Sequence, residues 1–264
     1  SGLAQAPRSS GCPRPARARA RGAPLKMTDG TVEKMKKVHW VPLESNPDML
    51  TNFARKVGLP EPWEFVDVFG TDPDLLCMVP PTCVAVTLLF KSSDNIRAFK
   101  QEQKAKIEAD GQTVSDKLVY LKQYVGNACG TIACIHSLAN SASTMGISDD
   151  SAIGAFLKSI GGKTPEEAGS LLADAKDLHQ ASEASATGGQ TAAPEATAEV
   201  DAHFIAFVEQ GGDVYELDGA KAFPINHGPS GGQLLEAAAK VIKSKFMEKD
   251  PDSIHFNMMA LVKP

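Results

Sequence analysis

The stretch from residue 203 to residue 218, HFIAFVEQGGDVYELD, constrains the fold of this chain more than any other. Two runs rich in β-branched and aromatic residues flank a Gly-Gly pair at 211–212. Glycine adopts the positive backbone angles that a two-residue hairpin turn needs, so the stretch predicts two adjacent antiparallel strands. The fold must therefore contain an antiparallel sheet.

The rest of the chain alternates predicted strands and helices. The other predicted strands are a short edge strand at 39–44, a strand at 64–70, a buried central strand at 82–90 and a last strand at 255–262. The predicted helices are at 46–59, 72–79, 94–109, 149–160, 165–178 and 231–247, with a further one beginning at Cys129. Clustered helices combined with mostly antiparallel strands predict an α+β fold.

Charge is unevenly distributed along the chain. Residues 1–26 contain six Lys and Arg and no acid, which leaves 21 bases against 32 acids, about −11, for the rest. An acidic body argues against nucleic acid as a partner and favours a basic protein or peptide. Because MTDGTVEKMKK at Met27 looks like a natural start, we predict that residues 1–26 are a disordered basic extension, upstream or introduced sequence. Residues 27–264 are then predicted to form a single domain.

Residues 179–202 interrupt the alternation of strands and helices. Ala, Ser, Thr, Gly and Glu dominate this segment, which has almost no large apolar side chains. Such a composition cannot bury enough surface to order itself well. Long irregular segments inside a domain are often functional lids, so we predict a mobile loop at 179–202.

Cys129 is the first candidate for chemistry. It lies in the first turn of a predicted apolar helix with Asn127 as its cap, where free backbone N–H groups and the helix dipole favour a thiolate. On placement alone, a buried structural thiol remains the commoner alternative. His136 cannot be its base, because two helical turns separate the two residues by about 10.5 Å. We expect His136 to pack in the core, and we expect the same of Cys134, Cys77 and Cys83.

The hairpin offers a base together with its partner. A turn centred on 211–212 places Asp218 opposite Ile205, on the same face as His203 and diagonal to it. One carboxylate can then hold one imidazole in the tautomer and orientation that general-base catalysis requires. A register slip of one residue would separate the two side chains.

Gln123 is a candidate for a third role. It lies in the loop just before the Cys129 helix, where its amide N–H₂ could donate to the oxyanion of a tetrahedral intermediate, beside the Cys129 N–H. A loop glutamine is more often simply solvated. The joint occurrence of Gln, Cys, His and Asp in this order is far more specific than any single member, and it resembles the papain-like arrangement.

Longer segments carry a closer resemblance. LKQYVGNACGTIACIHSLAN, VDAHFIAFVEQGGDVYELDGAKAFPINHG and KFMEKDPDSIHFNMMALV resemble the ubiquitin carboxyl-terminal hydrolases, a family of cysteine proteases. With WVPLESNP and WEFVDVFGTDPDLLCMVP, the resemblance runs from Trp40 to Val262. GQTAAPE and KFMEKDPD are closest to the isozyme-three type.

The resemblance implies a role for each of four residues. Cys129 would be the nucleophile, His203 the base, Asp218 the carboxylate that orients it and Gln123 the oxyanion donor. The implied fold is a papain-like α/β/α sandwich, with a mostly antiparallel central sheet flanked by helices and a knotted backbone. No metal or organic cofactor is implied.

The resemblance also implies how substrate is bound. The loop at 179–202 would cross the active site, so that the flexible basic tail of ubiquitin is threaded beneath it and large folded leaving groups are restricted. Candidate substrate contacts are Trp40, Glu44, Asp48, Asp67 and Asp201. For Glu44 and Asp48, a solvated acidic surface is an equally good interpretation.

The expected function is that of a deubiquitinating thiol hydrolase acting on small adducts and peptides at the C-terminal glycine of ubiquitin. The alternatives are a non-catalytic ubiquitin-binding module and an enzyme that prefers a Nedd-type ubiquitin-like modifier. We expect a monomer with no nucleic-acid or membrane partner. Five cysteines without paired spacing favour a reducing, cytoplasmic setting, with the nucleus as a second location.

Overall fold

A computed structural model describes residues 38–189, 194–198 and 200–264, so the predicted extension at 1–26 lies outside the described residues. The strands are β1 Glu64–Val68, β2 Thr82–Lys91, β3 Ala202–Gln210, β4 Asp213–Leu217, β5 Ile225–Pro229 and β6 Phe256–Lys263. The helices are α1 Pro47–Val57, α2 Pro73–Leu76, α3 Asp94–Asp110, α4 Cys129–Met145, α5 Ala152–Ile160, α6 Pro165–Asp174, α7 Lys176–Ala186 and α8 Leu234–Lys245. A 3₁₀ turn, Met247–Lys249, follows α8.

The six strands form one antiparallel sheet in the order β1-β6-β2-β3-β4-β5. The predicted central strand is confirmed, because β2 lies between β6 and β3. The predicted hairpin is also confirmed in its register, which pairs Ala206 with Leu217 and Gln210 with Asp213. Gly211 and Gly212 have φ angles of 63° and 89°, as a tight turn between right-twisted strands requires.

Helices cover both faces of the sheet. Strand β3 shows why: Phe204, Ala206 and Val208 point into one apolar cluster, whereas Ile205 and Phe207 point into another. The first cluster is formed with α1 and α4 to α7, the second with α8 and the start of α3. Alternate side chains of a strand point to opposite faces, so a strand buried on both sides needs helices on both. The predicted α/β/α sandwich is confirmed.

Helix α4 is the central helix of the first layer. Twelve of its 17 residues are buried, and Gly146, with a φ of 70°, ends it. Small residues dominate its sequence, which allows the helix axis to lie close to β3. The N-terminus of α4 is therefore held firmly against the strand that carries His203.

Two sequence predictions need correction, and one strand was missed. Residues 39–44 form no strand; His39 makes one isolated bridge with Gly126, and Pro42 removes a donor that a ladder would need. The loop predicted at 179–202 begins late, because α7 continues to Ala186. Its small buried residues, such as Ser182 and Ala186, pack closely without large side chains, and Ala and Glu favour helix. Strand β5 was not predicted.

No helix among the described residues combines the length and the apolar character needed to cross a lipid bilayer.

Candidate active site

Cys129 is the first residue of α4 and is partly exposed. Its position in the first helical turn was predicted correctly, and its thiol lies among backbone N–H groups that no helical carbonyl occupies. Asn127 is not the cap that the sequence suggested. Ala128 takes the cap position without a side-chain hydrogen bond, and Asn127 adopts a left-handed φ of 57°. No capping side chain therefore competes with the thiol for the free backbone N–H groups at the start of α4.

His203 and Asp218 form the pair that the hairpin register predicted. His203 Nε2 lies 2.7 Å from Asp218 Oδ1, and the Asp218 side chain is fully buried. The backbone N–H of Ala220 also donates to Oδ1, at 3.0 Å. Because Nε2 is used by the carboxylate, the Nδ1 atom of the ring remains for Cys129. Phe90 meets the imidazole edge-to-face at 5.8 Å and limits its rotation.

The thiol of Cys129 and the imidazole of His203 interact directly. Burial would raise the pKa of Cys129, but a hydrogen bond and the positive charge of His203, with backbone hydrogen bonds from Phe204 and Gly130, bring that pKa below its ordinary value. Burial would lower the pKa of His203, but the charge and hydrogen bond of Asp218 and the contact with Cys129 raise it to about 9. His203 is therefore protonated at neutral pH, and its contact with Cys129 favours the thiolate form of the cysteine.

Gln123 is anchored to the backbone next to Asp218. Its backbone N–H donates to the carbonyl of Gly219, the neighbour of Asp218, at 2.9 Å. Its Nε2 donates to the carbonyl of Val125 at 3.1 Å, and its buried Oε1 has no hydrogen-bond partner among the described residues. An amide nitrogen carries two hydrogens, so one remains for a ligand.

A cavity of about 200 Å³ opens at Cys129. Its lining is mostly apolar and includes Leu43, Leu89 and Phe204, while Glu44 contributes a carboxylate. The predicted contact Glu44 therefore lies in the same cavity as the thiol. A largely apolar cavity with one acidic residue in its lining suits a peptide that carries positive charge.

The other residues predicted to contact substrate do not line this cavity. Asp201 is exposed, two residues before His203, and lines an adjacent cavity. Asp48 is exposed in the first turn of α1, and Asp67 lies on β1, separated from β3 by two strands. Trp40 is a correction: it is 1% exposed and stacks on His179 at 4.7 Å. A large aromatic ring gains more from the core than from the surface, so it cannot contact a substrate here.

A short segment passes beside the thiol. Asn127 donates its Nδ2 hydrogens to the carbonyls of Ala196 and Ala198, both at 2.8 Å. Pro194 and Val200 line the same cavity as Cys129. Sequence analysis missed this role of Asn127; the only indication was that asparagine tolerates the left-handed region better than most residues.

In the part of the chain that the structure describes, Cys83, Cys134 and His136 are structural, whereas Cys77 is exposed. His136 is fully buried, accepts a hydrogen bond from the Leu121 N–H and has a pKa lowered by burial to about 4. Cys134 is buried, and Cys83 is partly buried with its pKa raised to about 12. Cys77 was expected in the core but is exposed, because α2 is a single turn that ends at Leu76.

A helix that begins at a thiol, packed on an antiparallel sheet that supplies an imidazole and a carboxylate, defines the class of papain-like thiol hydrolases. The family Ubiquitin carboxyl-terminal hydrolase, family 1, matches residues 40–248, and the chain belongs to this family.

Relatives with known names support this assignment. The chain is 43% identical over 227 residues to a probable ubiquitin carboxyl-terminal hydrolase of Dictyostelium discoideum, covering 85% of this chain and 88% of that protein. It is 40% identical over 226 residues to ubiquitin carboxyl-terminal hydrolase 3 of Arabidopsis thaliana, covering 85% and 94%. It is 36% identical over 223 residues to human ubiquitin carboxyl-terminal hydrolase isozyme L1, covering 84% and 97%.

The fold is also that of a solved structure, the Trichinella spiralis UCH37 catalytic domain bound to ubiquitin vinyl methyl ester. The TM-score is 0.65 at 21% sequence identity, and the match covers 87% of this chain and 98% of that one. The similarity extends over nearly the whole catalytic domain. The finer resemblance to the isozyme-three type stays a prediction.

Proposed function

We propose that this protein is a deubiquitinating thiol hydrolase that cleaves small adducts and peptides from the C-terminal glycine of ubiquitin. The observation that carries the proposal is the alignment of Cys129, His203 and Asp218, in which burial is overcome by mutual charge and hydrogen bonding. Family membership and relatives named as ubiquitin carboxyl-terminal hydrolases support the substrate.

The reaction starts with the thiolate. Cys129 Sγ attacks the carbonyl carbon of the terminal glycine, and the carbonyl π electrons move onto the oxygen. His203, protonated at the start, gives its proton to the leaving nitrogen as the C–N bond breaks, which leaves a thioester on Cys129. Neutral His203 then takes a proton from water, whose oxygen attacks the thioester carbonyl. The C–S bond breaks, the Cys129 thiolate and the imidazolium are restored, and the released carboxylic acid loses its proton to solvent.

Two groups would stabilise the oxyanion. The free N–H groups at the start of α4 surround Cys129, and the second hydrogen of Gln123 Nε2 is not used by Val125. A fixed donor is effective because it needs no reorganisation when charge develops. Asp218 holds the imidazole through Nε2 and stabilises its positive charge.

The substrate tail would occupy the cavity beside Cys129. Glu44 lies in this cavity, and Asp201 lines the neighbouring one, so a basic tail would meet carboxylates on its way to the thiol. Asp48 and Asp67 are proposed as more distant contacts. The segment that Asn127 holds beside the site would limit the size of the leaving group.

The test is turnover of a fluorogenic ubiquitin C-terminal amide by the native protein and by Cys129→Ala. We expect turnover in the first and none in the second, with ubiquitin binding retained. Binding without turnover in the native protein would contradict the proposal and indicate a non-catalytic binding module, an alternative that the aligned thiol, imidazole and carboxylate disfavour.

Two finer features belong to the same proposal. Ubiquitin is proposed as the main substrate, with a Nedd-type modifier as a weaker one, and paired kcat/KM values for the two amides measure the preference. A monomer in the cytoplasm, with access to the nucleus, is proposed from the sequence. Immunoblotting of cytoplasmic and nuclear fractions tests the location, and analytical ultracentrifugation tests the oligomeric state.

A further inference from the structure

We infer that Lys100 is a positioning residue of the catalytic site: its ammonium fixes the second oxygen of Asp218 and balances the charge of the Cys129–His203–Asp218 system. This inference rests on the proposed function. Lys100 does not contact the reacting atoms, so it acts through Asp218. Its place in the middle of the polar helix α3 gave no indication of such a role.

The geometry joins Lys100 to the site through two contacts. Lys100 Nζ donates to Asp218 Oδ2 at 2.8 Å, while His203 and the Ala220 N–H occupy Oδ1. The same ammonium lies 4.9 Å from the centre of the Phe90 ring, and Phe90 meets the imidazole edge-to-face. Lys100 therefore contacts both groups that hold His203 in place.

Burial makes this ion pair different from a surface pair. The Lys100 side chain is 19% exposed and the Asp218 side chain 0%. A carboxylate without water needs a partner at each oxygen, because a buried unpaired acceptor is costly. In the next turn of the same helix, Lys104 pairs with Glu108 at 3.6 Å with both side chains 55% exposed, where a salt bridge contributes little.

Charge balance gives Lys100 an effect on the chemistry. With Lys100, the thiolate, imidazolium, carboxylate and ammonium sum to zero; without it, the site carries one net negative charge. A negative site binds protons more strongly, so the thiolate and the neutral imidazole would both form at higher pH. Lys100 therefore favours the reactive pair at lower pH.

Other titratable groups face Asp218 from the elements packed around it. Among the described residues, Tyr120, Lys122 and His136 feel the charge of Asp218, and Glu216 lies two residues before it in the chain. Glu216 is paired with Lys221 and His227, His136 is held neutral by burial, and the pKa of Tyr120 is raised by burial. Lys122, whose ammonium donates to the Lys221 carbonyl, contributes positive charge nearby but has no hydrogen bond to the carboxylate.

The test compares Lys100→Met with Lys104→Met, the matched change one helical turn away, and with Lys100→Arg, which keeps the charge. The first readout is the pH profile of kcat/KM on the fluorogenic ubiquitin amide. We expect Lys100→Met to lower kcat about tenfold, since a hydrogen bond to a charged group is lost, with KM nearly unchanged and both limbs of the profile moved to higher pH. Lys104→Met should match the native protein, and Lys100→Arg should keep the native limbs.

The second readout is the pH dependence of Cys129 alkylation, which needs no turnover. We expect Lys100→Met to move this profile upward in the native background and much less in Asp218→Asn, because the effect passes through the carboxylate. Native profiles in folded Lys100→Met would overturn the inference, even if thermal stability fell. Should Lys100→Met not fold, Lys100→Gln takes the same test with the same criteria.

The two readouts separate this inference from the proposed function. A native protein that does not hydrolyse the ubiquitin amide would refute the hydrolase. The alkylation profile would still report whether Lys100 controls the protonation of Cys129.

Discussion

His203 Nε2 and Asp218 Oδ1 lie 2.7 Å apart although 15 residues separate them in the chain. The Gly-Gly turn brings β3 and β4 together in the one register that places both side chains on the same face. Asp218 is fully buried, and Lys100, Ala220 and His203 all donate to it. The carboxylate therefore has a fixed position, and its protonation is unfavourable near neutral pH.

Asp218→Asn should reduce kcat by up to about 10⁴-fold, because an amide can present the wrong group to Nε2 and lacks the charge that stabilises the imidazolium. The measurement is steady-state kinetics on the fluorogenic ubiquitin amide. Asp213→Asn is the matched control; its side chain accepts a hydrogen bond from Asn226, which an amide oxygen can still accept. Equal activity of the two variants would contradict the assigned role of Asp218.

Cys129 should alkylate at lower pH than an ordinary thiol, because its pKa lies below the usual value. Peptide-resolved mass spectrometry after iodoacetamide treatment measures the rate at each pH, with exposed Cys77 as a reference in the same sample. His203→Ala should move the Cys129 profile upward, because the hydrogen bond and charge that offset burial are lost. Coincident profiles for Cys129 and Cys77 in the native protein would refute the thiolate.

Gln123→Ala should lower kcat by about 10²- to 10³-fold with little change in KM, because an oxyanion donor acts mainly in the transition state. Kinetics on the same amide provide the measurement. Gln210→Ala, at the far end of β3, removes a similar amide whose only described role is a hydrogen bond to the Asn140 carbonyl. A rise in KM with unchanged kcat would show that Gln123 binds substrate rather than the oxyanion.

Removing the Asn127 amide should release the segment at 194–198 and admit larger leaving groups. Two hydrogen bonds of 2.8 Å are lost, together about 2 kcal/mol, which is up to about 30-fold in the population of the open segment. Asn127→Gly tolerates the φ of 57° and deletes the side chain, whereas Asn127→Asp keeps its shape and removes the donor.

The measurement is the ratio of kcat/KM for ubiquitin joined to a folded protein to that for the small amide. We expect the ratio to rise in both variants, together with the rate of proteolytic cleavage within the segment. An unchanged ratio in both would show that Asn127 does not restrict access.

His136 should make the protein less stable in acid. Its pKa is about 4 in the folded protein against 6.5 when exposed, so below pH 6.5 the unfolded chain binds the proton more strongly. Stability therefore falls as the pH drops from about 6.5 to 4, by up to roughly 3 kcal/mol. Urea unfolding across this range measures the slope. His136→Gln, which can still accept from the Leu121 N–H, should show a shallower slope, and an identical slope would contradict the prediction.

Much of this site follows from local sequence patterns. Turn chemistry at Gly211 and Gly212 gave the hairpin register, and with it the contact between His203 and Asp218. Apolar periodicity placed Cys129 at a helix start. These predictions succeed because each depends on residues close together in the chain, where dihedral preferences and side-chain direction dominate.

Local sequence patterns do not predict correctly where the burial of a side chain depends on packing between distant segments. Trp40 was predicted to contact substrate and lies in the core, whereas Cys77 was predicted in the core and is exposed. Residues 179–186 lack large apolar side chains, yet α7 forms there because small residues pack closely against α1. Which surface a side chain meets is a property of the assembled layers.

By itself, the sequence determined the helix that begins at the thiol and the hairpin that pairs imidazole with carboxylate, because each needs only a few neighbouring dihedral angles. Tertiary structure alone decided three contacts between distant segments: Cys129 with His203, Lys100 with Asp218, and Asn127 with the segment at 194–198. These contacts join α4 to β3, α3 to the residue after β4, and the loop before α4 to the segment before β3. Long-range packing of this kind has no periodicity in the sequence.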